Sequence, residues 1–209
     1  MNSSFGLGKH PRRILPMLAF AMTAGCGSLL GPSNPPPQIY RLSPEIASQP
    51  GGTSVPWQLA VARPDATQTL DTDRIALLRG PLMDYYADAQ WNDSAPRLVQ
   101  SLLVEAFDSS GRVQAAARDS ASLRADVTLA SDLRDFEAQY DSANPAPLVV
   151  IDIEAKLLDA RGQVIASVDS RQTARASQNN VASVVAAFDQ AMAAALSQIV
   201  GWTLQATPR

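Results

Sequence analysis

The chain has 209 residues, 46% of them hydrophobic, with 17 Lys and Arg against 20 Asp and Glu and a formal charge of −3 at pH 7. That length suits one domain with a sizeable core, and the absence of a basic cluster excludes a nucleic-acid-binding protein. One Cys leaves no partner for a disulfide, and one His, His10, leaves no histidine for a triad once the leader is gone.

The first 25 residues read as a leader. Lys9, Arg12 and Arg13 supply positive charge, Ile14 to Met22 is a short apolar run, and Thr23-Ala24-Gly25 are small residues before Cys26. The apolar run is too short to cross a bilayer, which takes ~20 residues. Ala24, Gly25 and Cys26 match a lipobox, with Thr23 where Leu is more usual. Cys26 is therefore expected to carry thioether-linked diacylglycerol on a new, acylated N-terminus, since a lone cysteine in an exported protein needs an explanation. The competing reading is an ordinary signal peptide with a free thiol. Gly27, rather than Asp, favours sorting to the outer membrane, facing the periplasm. The leader holds three bases and no acid, so 14 Lys and Arg remain against 20 acids, a charge near −6.

Residues 26–37 form the lipidated cysteine and a tether, because Gly31-Pro32-Ser33-Asn34-Pro35-Pro36-Pro37 favours an extended path. A single domain follows over 38–205, with a tail at 206–209. Gln38 to Leu42 reads as a short strand, and Ser43 to Val55 as a loop. Trp57, Leu59 and Val61 alternate as a strand ended by Pro64-Asp65. Arg74 to Arg79 is a second run, broken by Gly80-Pro81, and Leu82 to Trp91 returns as its paired strand. Asn92-Asp93-Ser94 are expected to cap a helix with Pro96 in its first turn and Leu98, Leu102, Leu103, Ala106 and Phe107 at helical spacing. Asp108 to Gly111 stop it.

Arg112 to Ala117 reads as a short strand. Leu123, Ala125, Val127, Leu129 and Leu133 alternate along the next, and Phe136, Ala138 and Tyr140 continue on the opposite parity, which predicts a β-bulge near Asp135. Pro145 to Leu158 presents Val149, Ile151, Ile153, Ala155 and Leu157 to one face and Asp152, Glu154 and Lys156 to the other. Asp159 to Gly162 is a hairpin turn, and Gln163 to Ala174 returns antiparallel. Asn179 or Asn180 caps a long helix, Val181 to Leu204, whose stripe runs through Val181, Val185, Phe188, Met192, Leu196, Ile199 and Trp202. The sum is an α/β fold, with α+β as the alternative: a mixed, largely antiparallel sheet and two main helices on one face or both.

Several chemistries are tested by these residues. Asp71 and Asp73 stand two apart, but a metal wants more ligands than this segment offers, so a turn or cap role is expected, with Asp73 beside Arg74 as a local ion pair. Tyr85, Tyr86 and Trp91 are candidate partner-binding aromatics. On a regular strand Tyr85 and Trp91 share one face and Tyr86 takes the other, so one face is expected to be core. There is no Gly-x-Ser-x-Gly elbow and no phosphate loop, and Lys156, the one lysine beyond the leader, lies mid-strand on the polar face. No catalytic residue, metal site or cofactor is expected.

Three sets of residues go further than pattern. They are Val61-Ala62-Arg63-Pro64 with Leu70-Asp71-Thr72-Asp73-Arg74-Ile75-Ala76, then Tyr85 to Trp91 with Leu98 to Phe107, and finally Val181 to Leu204 with Val184-Val185-Ala186-Ala187-Phe188-Asp189 at its start. In this order the chain resembles the ABC-type transport auxiliary lipoprotein family, the group that includes paraquat-inducible protein C. The resemblance implies a compact domain similar to the N-terminal domain of TolB. It also implies a role as an outer-membrane dock for an MCE-domain protein and its ABC permease, which move lipids between the two bacterial membranes. It leaves open whether copies assemble into a homo-oligomer and whether phospholipid is bound directly. A structural or regulatory envelope lipoprotein is the alternative of another class.

Overall fold

Residues 127–140, whose alternation changes parity partway along, become the strand against which four others pair directly. In the computed structural model, which describes residues 36–46, 54–121 and 124–206, the strands are β1 (Gln38–Tyr40), β2 (Gln58–Val61), β3 (Asp65–Ala66), β4 (Arg74–Arg79), β5 (Leu82–Trp91), β6 (Ala115–Arg118), β7 (Val127–Tyr140), β8 (Leu148–Asp159) and β9 (Val164–Arg175). The helices are α1 (Ala95–Ser110) and α2 (Val181–Gln205). Cys26 and most of the expected tether lie outside the described residues, which belong to one compact unit, Pro35–Arg209.

One flank of β7 is occupied in turn by β2, β3 and β4, all parallel to it. The other carries the long antiparallel ladders to β8 and then β9. β6 extends the sheet beyond β2, and β5 and β1 extend it beyond β4. The sheet is mixed, and its longest ladders are antiparallel. β3 is a two-residue strand that the sequence did not announce: β2 ends at Val61, opposite Leu129, and after Pro64 the chain rejoins β7 at Asp132.

β7 holds the bulge expected near Asp135. Leu133 pairs with Ile153 and Asp135 with Asp152, so Arg134 is the inserted residue. The insertion moves the inward set from Val127, Leu129 and Leu133 to Phe136 and Ala138, all almost fully buried.

α1 begins at Ser94, whose backbone is extended, with Pro96 in the first turn. Ser94 makes no side-chain cap bond; its own N–H goes to Asp93 Oδ1 at 2.8 Å. Gly111 ends the helix with φ of +62°, a conformation a side chain would resist. α2 is capped by Asn180, whose Oδ1 accepts the Ser183 N–H at 2.9 Å. By length and composition α2 could cross a membrane, but its apolar stripe faces inward: Val185, Phe188, Met192, Leu196 and Ile199 are buried.

Both helices cover the same face of the sheet. α2 lies over β8 and β9, α1 over β2 and β6, and the two touch. The core centres on Trp91, Phe136 and Phe188, with ring centroids 4.9–6.0 Å apart. Burying each of these rings stabilises the fold by about 1.5–3 kcal/mol. The open face is polar. Lys156 bridges Asp132 and Glu154, Arg134 bridges Glu154 and Asp169, and Arg171 bridges Asp135 and Asp152.

Candidate functional site

β4 and β5 form a hairpin whose turn lies at the end of β7, where Arg79 pairs with Tyr140. Its turn is Gly80, with φ of +59°, followed by Pro81. At the tip, Leu82 is 61% exposed, one of three large apolar residues so placed among the described residues. Tyr85 and Tyr86 stand behind it, both half-buried.

The register of this hairpin corrects the expected placement of its aromatics. Arg74 pairs with Gln90, but Ala76 pairs with Tyr85, so the stretch 86–89 of β5 faces Ile75 alone. This wide irregularity reverses the parity of the strand. Tyr85 therefore aligns with Ala76 and Glu137 on the open face, while Trp91 turns under the helices. At 1% exposure, against Phe136 and Phe188, Trp91 is a core residue and presents nothing to a partner. The regular-strand reading, which put Tyr85 and Trp91 on one face, fails because it assumes an unbroken period of two.

The two tyrosines are held differently. The Tyr85 hydroxyl donates to the Thr69 carbonyl at 2.9 Å, and the Arg74 guanidinium lies 3.8 Å from its ring centroid. Tyr86 shares a 2.9 Å hydrogen bond with the Tyr140 hydroxyl, which donates to Asn179 Oδ1 at 2.9 Å. Arg79 stacks over Tyr140 at 4.9 Å. Burial, and then the bond to Tyr140, push the Tyr86 phenol far above its ordinary range. The hairpin is thus fastened to the residue before the Asn180 cap of α2. Tyr140, Asn179 and Leu82 are members of this surface that sequence reasoning missed. No local signal marks them, because they meet only through pairing of β4 with both β5 and β7.

The other candidates fall into supporting roles. Asp71 pairs with Arg63, and Asp73 accepts a long bond from the Thr72 hydroxyl at 3.4 Å. Arg74 leans on Tyr85 instead of pairing with Asp73. Lys156 sits 3.2 Å from Asp132 and 3.1 Å from Glu154, and these hydrogen bonds hold its ammonium above the ordinary lysine range. Among the described residues no three His, Cys, Asp or Glu side chains converge on a metal position. The apolar cleft between α1 and α2, lined by Ile46, Ala106, Leu196, Val200 and Leu204, encloses about 20 Å³, too little for an acyl chain.

Comparison with known proteins gives these features a frame. Uncharacterized protein bll6063 of Bradyrhizobium diazoefficiens is 32% identical over 186 residues, covering 88% of this chain and 49% of that protein. The chain thus spans about half the length of the curated relative it matches. The crystal structure of protein XCC0632 from Xanthomonas campestris is 34% identical, with a TM-score of 0.75 over 80% of this chain and 94% of that one. A second crystallised protein, described only as uncharacterized, has a TM-score of 0.64 at 17% identity, over 81% of this chain and 99% of that one, and shares the fold alone. The profile of the ABC-type transport auxiliary lipoprotein component matches residues 40–200, a span that runs from β1 into the last turns of α2, and the chain belongs to that family.

Proposed function

We propose that the chain is a lipid-anchored, non-catalytic accessory of an ABC-type system that moves lipids between the bacterial membranes, serving as an outer-membrane dock for the MCE-domain component. The observation that carries this reading is the family profile across residues 40–200. The leader and Cys26 support the anchor: two or more acyl chains give stable attachment where one gives marginal binding. The β4–β5 hairpin is the contact surface in this reading. Its exposed Leu82 offers an apolar anchor beside the turn, and Tyr85 with the Arg74 guanidinium over its ring adds, on the open face, aromatic and cationic groups of the kind enriched at interfaces.

Affinity capture of the tagged, acylated protein from envelope extracts tests the role. An MCE-domain protein and its ABC permease are the expected catch, weakened by Leu82→Glu. Recovery of cell-wall or envelope-assembly proteins alone would sink the reading in favour of a structural lipoprotein. Fractionation tests the anchor separately. Cys26→Ala should release the protein from the outer membrane into the periplasm, and equal membrane retention of the variant refutes lipidation.

A further inference from the structure

At the N-terminal half of α1 three arginines meet around one open cavity. Arg97 comes from the first turns of α1, Arg118 from the end of β6 and Arg63 from the residues after β2. The cavity measures about 420 Å³, within the ~300–1,000 Å³ typical of small-ligand clefts. Its walls are fixed from behind. Gln100 is buried at 6% exposure, and its amide donates to the Val61 carbonyl at 3.0 Å and to Asp119 Oδ1 at 3.3 Å. Asp119 also accepts the Ser120 N–H, and its own N–H goes to the Val61 carbonyl at 3.1 Å. This ties the turn that carries Arg118 to β2.

The charges are arranged unevenly. Across the open face of the sheet, Arg134, Lys156 and Arg171 each meet two carboxylates. Around this cavity Arg63 pairs with Asp71, but among the described residues neither Arg97 nor Arg118 has a carboxylate partner. Arg118 donates to Ser101 Oγ at 2.7 Å, and Ser101 in turn donates to the Arg97 carbonyl at 2.7 Å. The two acids that line the space, Asp93 and Asp119, are engaged by the N–H groups of Ser94 and Ser120. With Asp71 counted beside its Arg63, three guanidinium groups stand against three carboxylates, but among the described residues the charges of Arg97 and Arg118 are left without a direct carboxylate contact.

We propose that the Arg63–Arg97–Arg118 cavity binds a phosphate group, either free phosphate or the phosphodiester of a lipid headgroup. Guanidinium groups meet phosphate oxygens through paired, charge-assisted N–H bonds, and Arg97 and Arg118 have N–H groups that no carboxylate occupies. The site does not depend on the transport role, because it is defined by the domain's own side chains.

The test uses the domain from residue 35 onward, since the core closes within that unit and the Xanthomonas relative crystallised as a chain matched along 94% of its length. Inorganic phosphate is titrated at constant ionic strength while the arginine Nε–Hε resonances are followed by NMR. Arg97 and Arg118 should shift saturably, and Arg161 in the remote β8–β9 turn should not. Arg97→Ala/Arg118→Ala should abolish the response. Arg97→Lys/Arg118→Lys, which keeps the charge, should weaken it several-fold through loss of paired bonding. Absence of saturation, or an equal response in the alanine pair, overturns the proposal. Vesicles of phosphatidylglycerol identify the source. Competition with phosphate for the same resonances assigns the site to lipid headgroups, whereas a phosphate response that vesicles leave untouched assigns it to the free anion.

Discussion

The hydroxyl of Tyr86 lies 2.9 Å from that of Tyr140, and this bond adds a side-chain link from β5 to the central strand beside the backbone ladder of β4 with β7. Tyr140 passes the connection on to Asn179, immediately before the Asn180 cap of α2. A strand pair, the end of β7 and a helix start are therefore coupled through two phenols.

Replacing Tyr86 by Phe should cost about 0.5–1.5 kcal/mol, the usual net value of one such bond, because Tyr140 keeps Asn179. The ionisation of Tyr86 is the sharper test. Its folded phenol is raised above the unfolded one, so its contribution to stability is complete below the unfolded value near ~10 and is lost as pH rises beyond it. Ultraviolet titration should show one tyrosine that ionises only as the domain unfolds, and Tyr86→Phe should remove that phase. A Tyr86 that titrates freely in the folded protein contradicts the buried bond.

Trp91, Phe136 and Phe188 should behave as one packed unit. Phe188→Ala is expected to cost about 3–5 kcal/mol, the usual figure for a large buried ring. Pairing Phe136→Leu with Phe188→Leu should show a coupling of about 0.5–1.5 kcal/mol beyond the single effects. Denaturant melts measure both. Tyr85→Ala should cost far less, since its ring is half-exposed on the open face.

These contrasts also show what could be read from the chain by itself. The two helices and their stops, the Asn180 cap, a bulge near Asp135 and the inward set of β8 follow from local spacing, because each depends on neighbours within a few residues. The irregularity of β5 does not. Nothing in Leu82 to Trp91 marks which residues stand opposite Ile75, so a uniform alternation places Tyr85 and Trp91 together when they face apart. Equally hidden were β3, which exists only because β7 offers an edge at Asp132 and Leu133, and the arginine cavity, whose members are brought together from separate segments.

Glu137 sits at 2% exposure on the open face, bonded by the Phe136 N–H at 2.7 Å and the Gln139 amide at 2.9 Å. Burial raises its carboxyl above the ordinary value, outweighing those two donors. A raised carboxyl stabilises the fold below the unfolded value near ~4.3 and gives up that contribution as pH climbs through the folded one. Thermal melts of wild type and Glu137→Gln across the acid-to-neutral range should diverge, with the wild type losing ground relative to the variant as pH rises. A difference that stays flat with pH rules out a burdened carboxylate.

The ion pairs of the open face should differ in worth according to what each cation leaves behind. Arg134 serves Glu154 and Asp169, whose side chains are 22% and 67% exposed, so Arg134→Ala should cost below about 1 kcal/mol. Arg171 serves Asp135 and Asp152, and the Asp152 side chain is only 14% exposed, with Oδ1 buried and unbonded. Removing Arg171 strands a charge with little water to replace its partner, and the loss should reach about 1–3 kcal/mol. The hydrogen bonds from Arg171 to both carboxylates, together with their charge, are also what raise its own guanidinium. Adding Asp152→Asn to Arg171→Ala should recover much of the loss, because the stranded charge is gone, whereas strong salt should narrow the Arg134 effect more than the Arg171 effect. Equal penalties for the two arginines, with no rescue by Asp152→Asn, would show that this face is screened throughout and that the partial burial of Asp152 carries no energetic weight.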